Sequence, residues 1–388
     1  SIVCYRTNDY IVVMHLLIAF IAIGENKVSP FSCRFFKILN IQISKLFFIK
    51  LICENSRSSA LKIAFVFCAS NANAQSLPGE EIASLIKDAI FFTDKYVTPA
   101  TDAAVYQAAS GWVITPKKAN RWDFTLGLHG NVFFVPQSDR SFRLSNSDLS
   151  FFRINKEGVE SALTPSALGN DHYVELIGVL NGSPVSLRTP EGIDREVVFY
   201  PYLQGSLGVG YGTEFIGKFS PMIKLKNVDY QVYGLGVKHN LSQYFSAMEK
   251  RNLHLSILVA YSKEDLTVNF LDVQTSYGNL GLNALNSLID TWQFQVNASK
   301  EFKNLELSAG FIMNTSDFEY KVNGPKGEIE RITPLQEVLN GQLKSIARTN
   351  FNGIGEISGR YQFSHFYIQQ TLAFGKFTNS NTSLQYEF

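Results

Sequence analysis

The stretch from Tyr200 to Tyr244, YPYLQGSLGVGYGTEFIGKFSPMIKLKNVDYQVYGLGVKHNLSQY, constrains the fold more than any other. It holds three runs, each roughly 9–11 residues long, in which apolar and polar positions mix with glycines and aromatics, the strand length that a membrane-spanning barrel requires. The first two runs meet at the tight Gly208-Val209-Gly210-Tyr211-Gly212 turn, and the third follows a polar loop ending at Lys226-Asn227. That rhythm is an antiparallel meander.

The same alternation recurs along the chain. Trp122, Phe124, Leu126, Leu128, Val132 and Phe134 fall on one face of a strand, with Asp123, Thr125, Gly127, His129 and Asn131 on the other until Phe133 interrupts. Further alternating runs lie at Leu253–Tyr261, Trp292–Ser299 and Leu305–Ile312. Short connections at 209–211, 301–304 and 362–364 contrast with long ones at 263–289 and 316–347. Outer-membrane barrels sort short periplasmic turns from long external loops in this way. The final strand sets Thr382, Leu384, Tyr386 and Phe388 against Ser383, Gln385 and Glu387. A last amphipathic strand ending in Phe388 resembles the signal read by the outer-membrane assembly machinery. The expected fold is all-β: an antiparallel transmembrane β-barrel over residues 122–388. Ten strands are clear, and two short ones at Ser141–Ile154 and Tyr173–Leu180, with a further hairpin at Leu266–Thr275, extend the range to 10–14. An even count puts both chain ends on the periplasmic side.

The N-terminal part differs in kind. Residues 1–74 carry eight Lys/Arg and three acids, while the rest of the chain has a net charge of −4. Cys4, Cys33, Cys53 and Cys68 all precede residue 75. Residues 57–74 read as a signal peptide, with Arg57 and Lys62 before the apolar run 63–69 and Ala72-Asn73-Ala74 as the cleavage site ahead of Gln75. Residues 1–56 lack clear periodicity. They are expected to be translated from upstream DNA, with an inner-membrane anchor at Val12–Ile23 as the alternative.

Residues 75–121 form an N-terminal helix and plug segment in this reading. Glu80 and Glu81 suit the start of a helix dipole, and Ile82, Leu85, Ile86, Ala89, Ile90 and Thr93 follow a 3.6-residue period. Pro99 is expected to stop the helix. The small-residue stretch Thr98–Trp112 follows, and the segment either caps the periplasmic mouth or plugs the lumen.

Composition adds less. Aromatics are 13% and charged residues 18% of the chain, the latter below the roughly 25% of soluble domains. A formal charge of +1 gives no electrostatic reason for a nucleic-acid partner.

The segments PYLQGSLGVGYGTEFIGKFSP, YGLGVKHNLSQYF and GWVITPKKANRWDF resemble an uncharacterised family of Bacteroidetes outer-membrane proteins. The resemblance implies a barrel in the outer membrane and brings no site residues. In layout the chain is also similar to the fatty-acid transporter barrels, whose N-terminal plug and hydrophobic cargo set an expectation of function only by analogy.

Chemistry is sparse. Neither HExxH nor a GxSxG elbow occurs, no cofactor is implied, and a barrel hydrolase ranks last among the readings. Glu214 and Lys218, four apart on one strand face, are within reach of a lumen ion pair; they either line the lumen in the ordinary way or shape a polar constriction, with Lys238 and His254 as further lumen-lining residues. Asp194-Arg195-Glu196 reads as a solvated loop. Leu280, Leu282, Leu285, Leu288 and Ile289 suggest a short amphipathic helix over the external mouth or on its rim. The expected function is passive transport of a small hydrophobic molecule through a plugged barrel, with a non-conducting structural barrel presenting loops 263–289 and 316–347 to partners as the alternative.

Overall fold

The computed structural model describes residues 79–180, 182–269, 274–275, 278–279, 282–325 and 334–388. The chain divides into two units, Ser1–Ala74 and Gln75–Phe388; the expectations for residues 1–56, for the signal peptide and for cleavage between Ala74 and Gln75 lie outside the described residues.

Ten antiparallel strands close into a barrel. They are β1 (Phe124–Phe134), β7 (Val197–Gly210), β8 (Thr213–Leu225), β9 (Val228–Asn240), β10 (Leu253–Asn269), β13 (Ala284–Phe302), β14 (Leu305–Asn323), β15 (Thr349–Phe363), β16 (Phe366–Phe374) and β17 (Thr378–Glu387). Neighbours in sequence pair in space. Closure comes from β1, whose Leu128 sits opposite Leu384 of β17 on one side and Leu203 of β7 on the other. The remaining strands stand apart from the wall: β2 (Ser141–Ser145), β3 (Arg153–Ile154), β4 (Ser161–Pro165), β5 (Glu175–Leu180) and β6 (Ser183–Arg188) form two small sheets between β1 and β7, and β11 (Gln274–Thr275) pairs with β12 (Gly278–Asn279). The two short strands expected near 141–154 and 173–180 therefore exist but do not join the barrel.

Along the membrane-embedded part of most strands, apolar side chains point outward and polar ones inward; Ile216, Leu258 and Ala260 face inward, and Gln370 and Thr382 outward, as exceptions. Leu126, Leu128, Leu203, Phe215, Leu235, Trp292 and Phe311 are exposed on the outer face, whereas His129, Gln204, Gln295 and Gln385 are buried inside. A large apolar surface turned outward around a closed sheet is stable only in lipid. Aromatics crowd the end where the strands meet Phe388: Phe124, Phe366 and Tyr386 lie within ring contact of one another or of Phe388. Such a girdle marks a membrane interface.

On β10, β13 and β14 the phase then inverts without any slip in register. The outward row of β14 runs Leu305, Leu307, Ala309, Phe311, Met313 and continues as Thr315, Asp317, Glu319 and Lys321. Its inward row passes from Glu306, Asn314 and Ser316 to Phe318, Tyr320 and Val322, all buried. Likewise the outward row of β10 changes from Val259 and Tyr261 to Lys263 and Asp265, while its inward row ends in buried Leu266 and Val268. These upper segments stand in water, with their apolar face turned to an interior core.

This inversion corrects the expected loop lengths. The connections expected at 263–289 and 316–347 shrink to 270–283 and 324–348, because 17- and 19-residue strands continue past the point where the alternation changes meaning. In place of the expected helix, Leu285, Leu288 and Ile289 lie at the start of β13, with Leu285 and Ile289 buried on its inner face and Leu282 just before the strand; Leu280 lies outside the described residues. Similarly, β8 runs to Leu225, so the polar loop before β9 is only the Lys226-Asn227 turn, with Lys226 at φ 48°.

Helix α1 (Gly79–Ala109) occupies the interior and continues through Pro99, where the sequence reading ended it. Proline removes one backbone donor and crowds the preceding turn, which disfavours but does not forbid continuation. Here the following turns are buried: Ala100, Ala103, Ala104, Ala108 and Ala109 pack in one core with Tyr96, Val97, Tyr200, Tyr230, Val232, Leu266, Leu285, Phe318 and Tyr320. Small side chains let the helix pass between walls lined by tyrosines. A non-helical backbone there would leave buried amides without partners.

The other end of α1 stands among the long connections. Leu85 joins Leu144, Phe152, Ile154, Leu176, Leu180 and Val185 in a second core, and Ile86 packs on Leu335 and Leu339 of α2 (Leu335–Leu343). The Asp88 carboxylate accepts the backbone N–H groups of Ser150, Phe151 and Phe152 at 2.6, 2.7 and 2.9 Å. Asn340 of α2 brackets the free edge of β14, accepting from the Val322 amide at 2.7 Å and donating to its carbonyl at 3.1 Å. The upper strands, the small sheets, α2 and the first third of α1 make a folded head. Gly79 thus lies at the end of the barrel opposite Phe388, whereas the two ends of the ten-stranded wall, Phe124 and Phe388, meet at one end, as the even count requires.

Candidate functional site

The interior contacts of residues 96–122 descend the barrel in order. Near the head, Tyr96 Oη donates to the Glu191 carbonyl at 2.7 Å. At the upper rim, Asp102 receives Arg348 at 2.6 Å, Lys376 at 2.9 Å and Asn350 at 3.3 Å. Lys376 also lies 3.3 Å from Asp139. Burial alone would lower the Lys376 pKa; the hydrogen bond and charge of Asp102, with Asp139 beside them, hold it above the ordinary lysine value. On the rim's surface, Glu191 accepts a hydrogen bond from Lys226 and raises its pKa in the same way.

The helix ends at mid-barrel, held from two walls. Lys218 of β8 donates to the carbonyl oxygens of Ala108 at 3.0 Å and Ser110 at 2.6 Å, with its ammonium over the Tyr202 ring. A cation is what the negative end of a helix favours. From β15, Glu356 accepts the Gly111 N–H at 2.9 Å. Gly111 has φ +72°, and a Cβ there would lie 2.5 Å from the Tyr202 hydroxyl, so only glycine fits this turn. Asn379 donates to the Tyr106 carbonyl at 2.9 Å.

Below that point Trp112 is fully buried against β8, β9 and β10, with Val113, Ile216, Leu258 and Ala260 around it. Inward-facing Gly234 gives it room: a Cβ at that position would stand 2.9 Å from the indole and 2.5 Å from the Tyr261 carbonyl. Gln204 donates to the Trp112 carbonyl at 2.8 Å. Residues 113–121 then run irregularly along the wall. Lys238 donates to the Thr115 carbonyl at 2.6 Å, Asn240 to the Pro116 carbonyl at 2.8 Å, and Thr115 Oγ1 donates to Glu306 at 2.8 Å. Lys117 pairs with Glu301 at 2.6 Å. The descent ends where the Trp122 N–H meets the Gly208 carbonyl at 2.8 Å.

The side chains of Glu214, Lys218, Lys238 and His254 all turn into the barrel. The Glu214–Lys218 pair does not form. Four residues along a strand span roughly 13 Å, so Glu214 pairs with its cross-strand neighbour Lys238 at 2.5 Å and Lys218 is left for the helix end. His254 lies 3.7 Å from Glu301 at the lower mouth. The sequence reading missed Glu356, Asp102 and Trp112, which belong to the same set of contacts. Trp112 carried a signal, a lone indole after a small-residue run, but its glycine socket on β9 is not visible without the fold. Among the described residues no group of three His, Cys, Asp or Glu is placed to hold a metal ion.

Fold and interior together define a ten-stranded transmembrane β-barrel whose lumen holds its own N-terminal segment. The chain belongs to a family of unknown function, DUF6588, whose model matches residues 54–388. No curated protein matches it. Among solved structures it is similar to the translocator domain of the autotransporter NalP from Neisseria meningitidis, at 7% identity over 75% of this chain and 96% of that one, with a TM-score of 0.32. It is also similar to the outer membrane protease OmpT from Escherichia coli, at 11% identity, 72% and 100% coverage and a TM-score of 0.24. For OmpF of Salmonella typhi the corresponding values are 6%, 69%, 97% and 0.19.

Proposed function

We propose that the protein is a non-catalytic outer-membrane barrel, kept closed by its own helix, that presents a folded head to the cell exterior. The observation that carries this reading is the burial of the lumen: Lys218, Lys238, Gln295 and Tyr202 are each at most 2% exposed with α1 and residues 110–121 in place. A barrel held open for diffusion keeps its polar lining wet. The same reading includes export by residues 57–74 with cleavage between Ala74 and Gln75, an outer-membrane lipid shell around the apolar band, and recognition of Leu384, Tyr386 and Phe388 by the assembly machinery. Bilayer recordings of the protein purified from outer membranes test it: no steady current is expected, and a stable open pore in the untreated protein would overturn it.

One observation favours passive transport as a second reading. Around and below Trp112 the filler is irregular chain rather than helix, and the facing wall carries Gln293, Gln295, Asn297, Ser299, Gln369 and Gln385. Displacing residues 110–121 would uncover a polar passage. The small hydrophobic solute expected from the sequence gains less support, since the apolar interior surface is where α1 already packs.

A further inference from the structure

We infer that the barrel carries its own N-terminal segment outward across the membrane: the chain from Gly79 to about Pro99 passes through the lumen before it folds into the head. The inference rests on the reading that the head faces the exterior. Its geometric basis is the order of contacts. Leu85 and Asp88 engage the head, Asp102 the upper rim, Ala108 and Ser110 the middle, Thr115 and Lys117 the lower wall, and Trp122 the turn beside β7 at the opposite end. The chain therefore runs from outside to inside before β1 begins. A polypeptide supplied from the side of the short turns reaches this arrangement only if its leading end crosses.

The lumen is the route the chemistry allows. Segment 79–99 carries Glu80, Glu81, Lys87, Asp88, Asp94 and Lys95, and a path through lipid would place those charges in hydrocarbon. Once α1 is docked, Tyr200, Tyr202, Tyr230, Phe133 and Phe377 close around it, leaving no room for a second pass of chain. Crossing thus precedes the docking of the helix end on Lys218 and Glu356. An extended chain suits that passage and a folded domain does not.

The test uses the full chain with one of two insertions between Gln75 and Gly79: a flexible epitope, or the same epitope on a small domain closed by a disulfide. A separate Glu157→Cys variant reports the head, since Glu157 is exposed between β3 and β4 and no cysteine occurs beyond Cys68. A membrane-impermeant maleimide should label Glu157→Cys on intact cells, and antibody should reach the flexible epitope there. The disulfide-closed insert should give at least tenfold less surface epitope, restored when the cells are grown with reductant. If the flexible epitope is reached only after the outer membrane is opened while Glu157→Cys is labelled from outside, the export proposal falls and the head reading stands. If Glu157→Cys is itself shielded, the orientation underlying both is wrong. Equal display of the closed domain and the flexible epitope would overturn passage through the lumen.

Discussion

Lys218 donates to the carbonyl oxygen of Ser110 at 2.6 Å, one residue beyond the end of α1. A side chain of the barrel wall thereby caps a helix that enters from the other end of the chain. Hydrogen bonds from a charged group contribute about 1.5–3 kcal/mol each, and this ammonium makes two. Lys218→Met should weaken docking of the helix by about 3–5 kcal/mol without dismantling the wall. Bilayer recordings should then show intermittent openings that the parent lacks, and a silent variant with unchanged urea resistance would deny Lys218 this role.

Gly111→Ala should be costly for two separable reasons. The left-handed backbone adds about 1–2 kcal/mol for any residue with a Cβ, and the new methyl meets the Tyr202 hydroxyl. Gly111→Ala combined with Tyr202→Phe should recover part of the loss, leaving the backbone component. Urea unfolding of both variants in detergent measures the difference, and no recovery would mean that the contact with Tyr202 is unimportant.

Placement of the lipid boundary is testable on one face of one strand. Phe311 and Glu319 both point outward from β14. Phe311→Arg should destabilise the membrane-inserted barrel by about 2–4 kcal/mol, the cost of a cation in the apolar band. Glu319→Arg should change it by less than about 0.5 kcal/mol, as surface substitutions do. Refolding titrations in lipid vesicles compare them; equal effects would misplace the boundary.

Asp88→Ala removes the acceptor shared by the amides of Ser150, Phe151 and Phe152. Of the three, the Phe152 amide is buried, and a buried amide left unpaired costs about 1–3 kcal/mol, so the loop should detach from α1. Limited proteolysis within residues 146–160 should accelerate at least tenfold, with the barrel core left intact. Unchanged cleavage would place the stability of the head elsewhere.

The barrel was legible because its signal is a period of two repeated in every wall strand, as at Phe124–Phe134 and Leu305–Ile312. Strand ends were less so. At Lys263, Asp290 and Thr315 the outward row turns polar, and a pattern meaning one thing in lipid means the reverse in water; no local residue announces the change. Continuation of α1 through Pro99 depends on a lumen that only the closed barrel creates. The same holds for the site: Glu214 and Lys218 were recognised as inward, but their partners come from β9 and from α1, at sequence distances that alternation cannot supply.

The inverted upper half of β10, β13 and β14 also acts as a draught mark. The apolar outward row of β14, from Leu305 to Met313, covers nine residues, or roughly 23 Å along the membrane normal at about 40° of tilt. Sinking the barrel by one pleat would drag Thr315 and then Asp317 into hydrocarbon, and raising it would strip lipid from Leu305 and its aromatic neighbours. The molecule therefore floats at a fixed height, and a thicker bilayer has to thin at this wall rather than pull the head down.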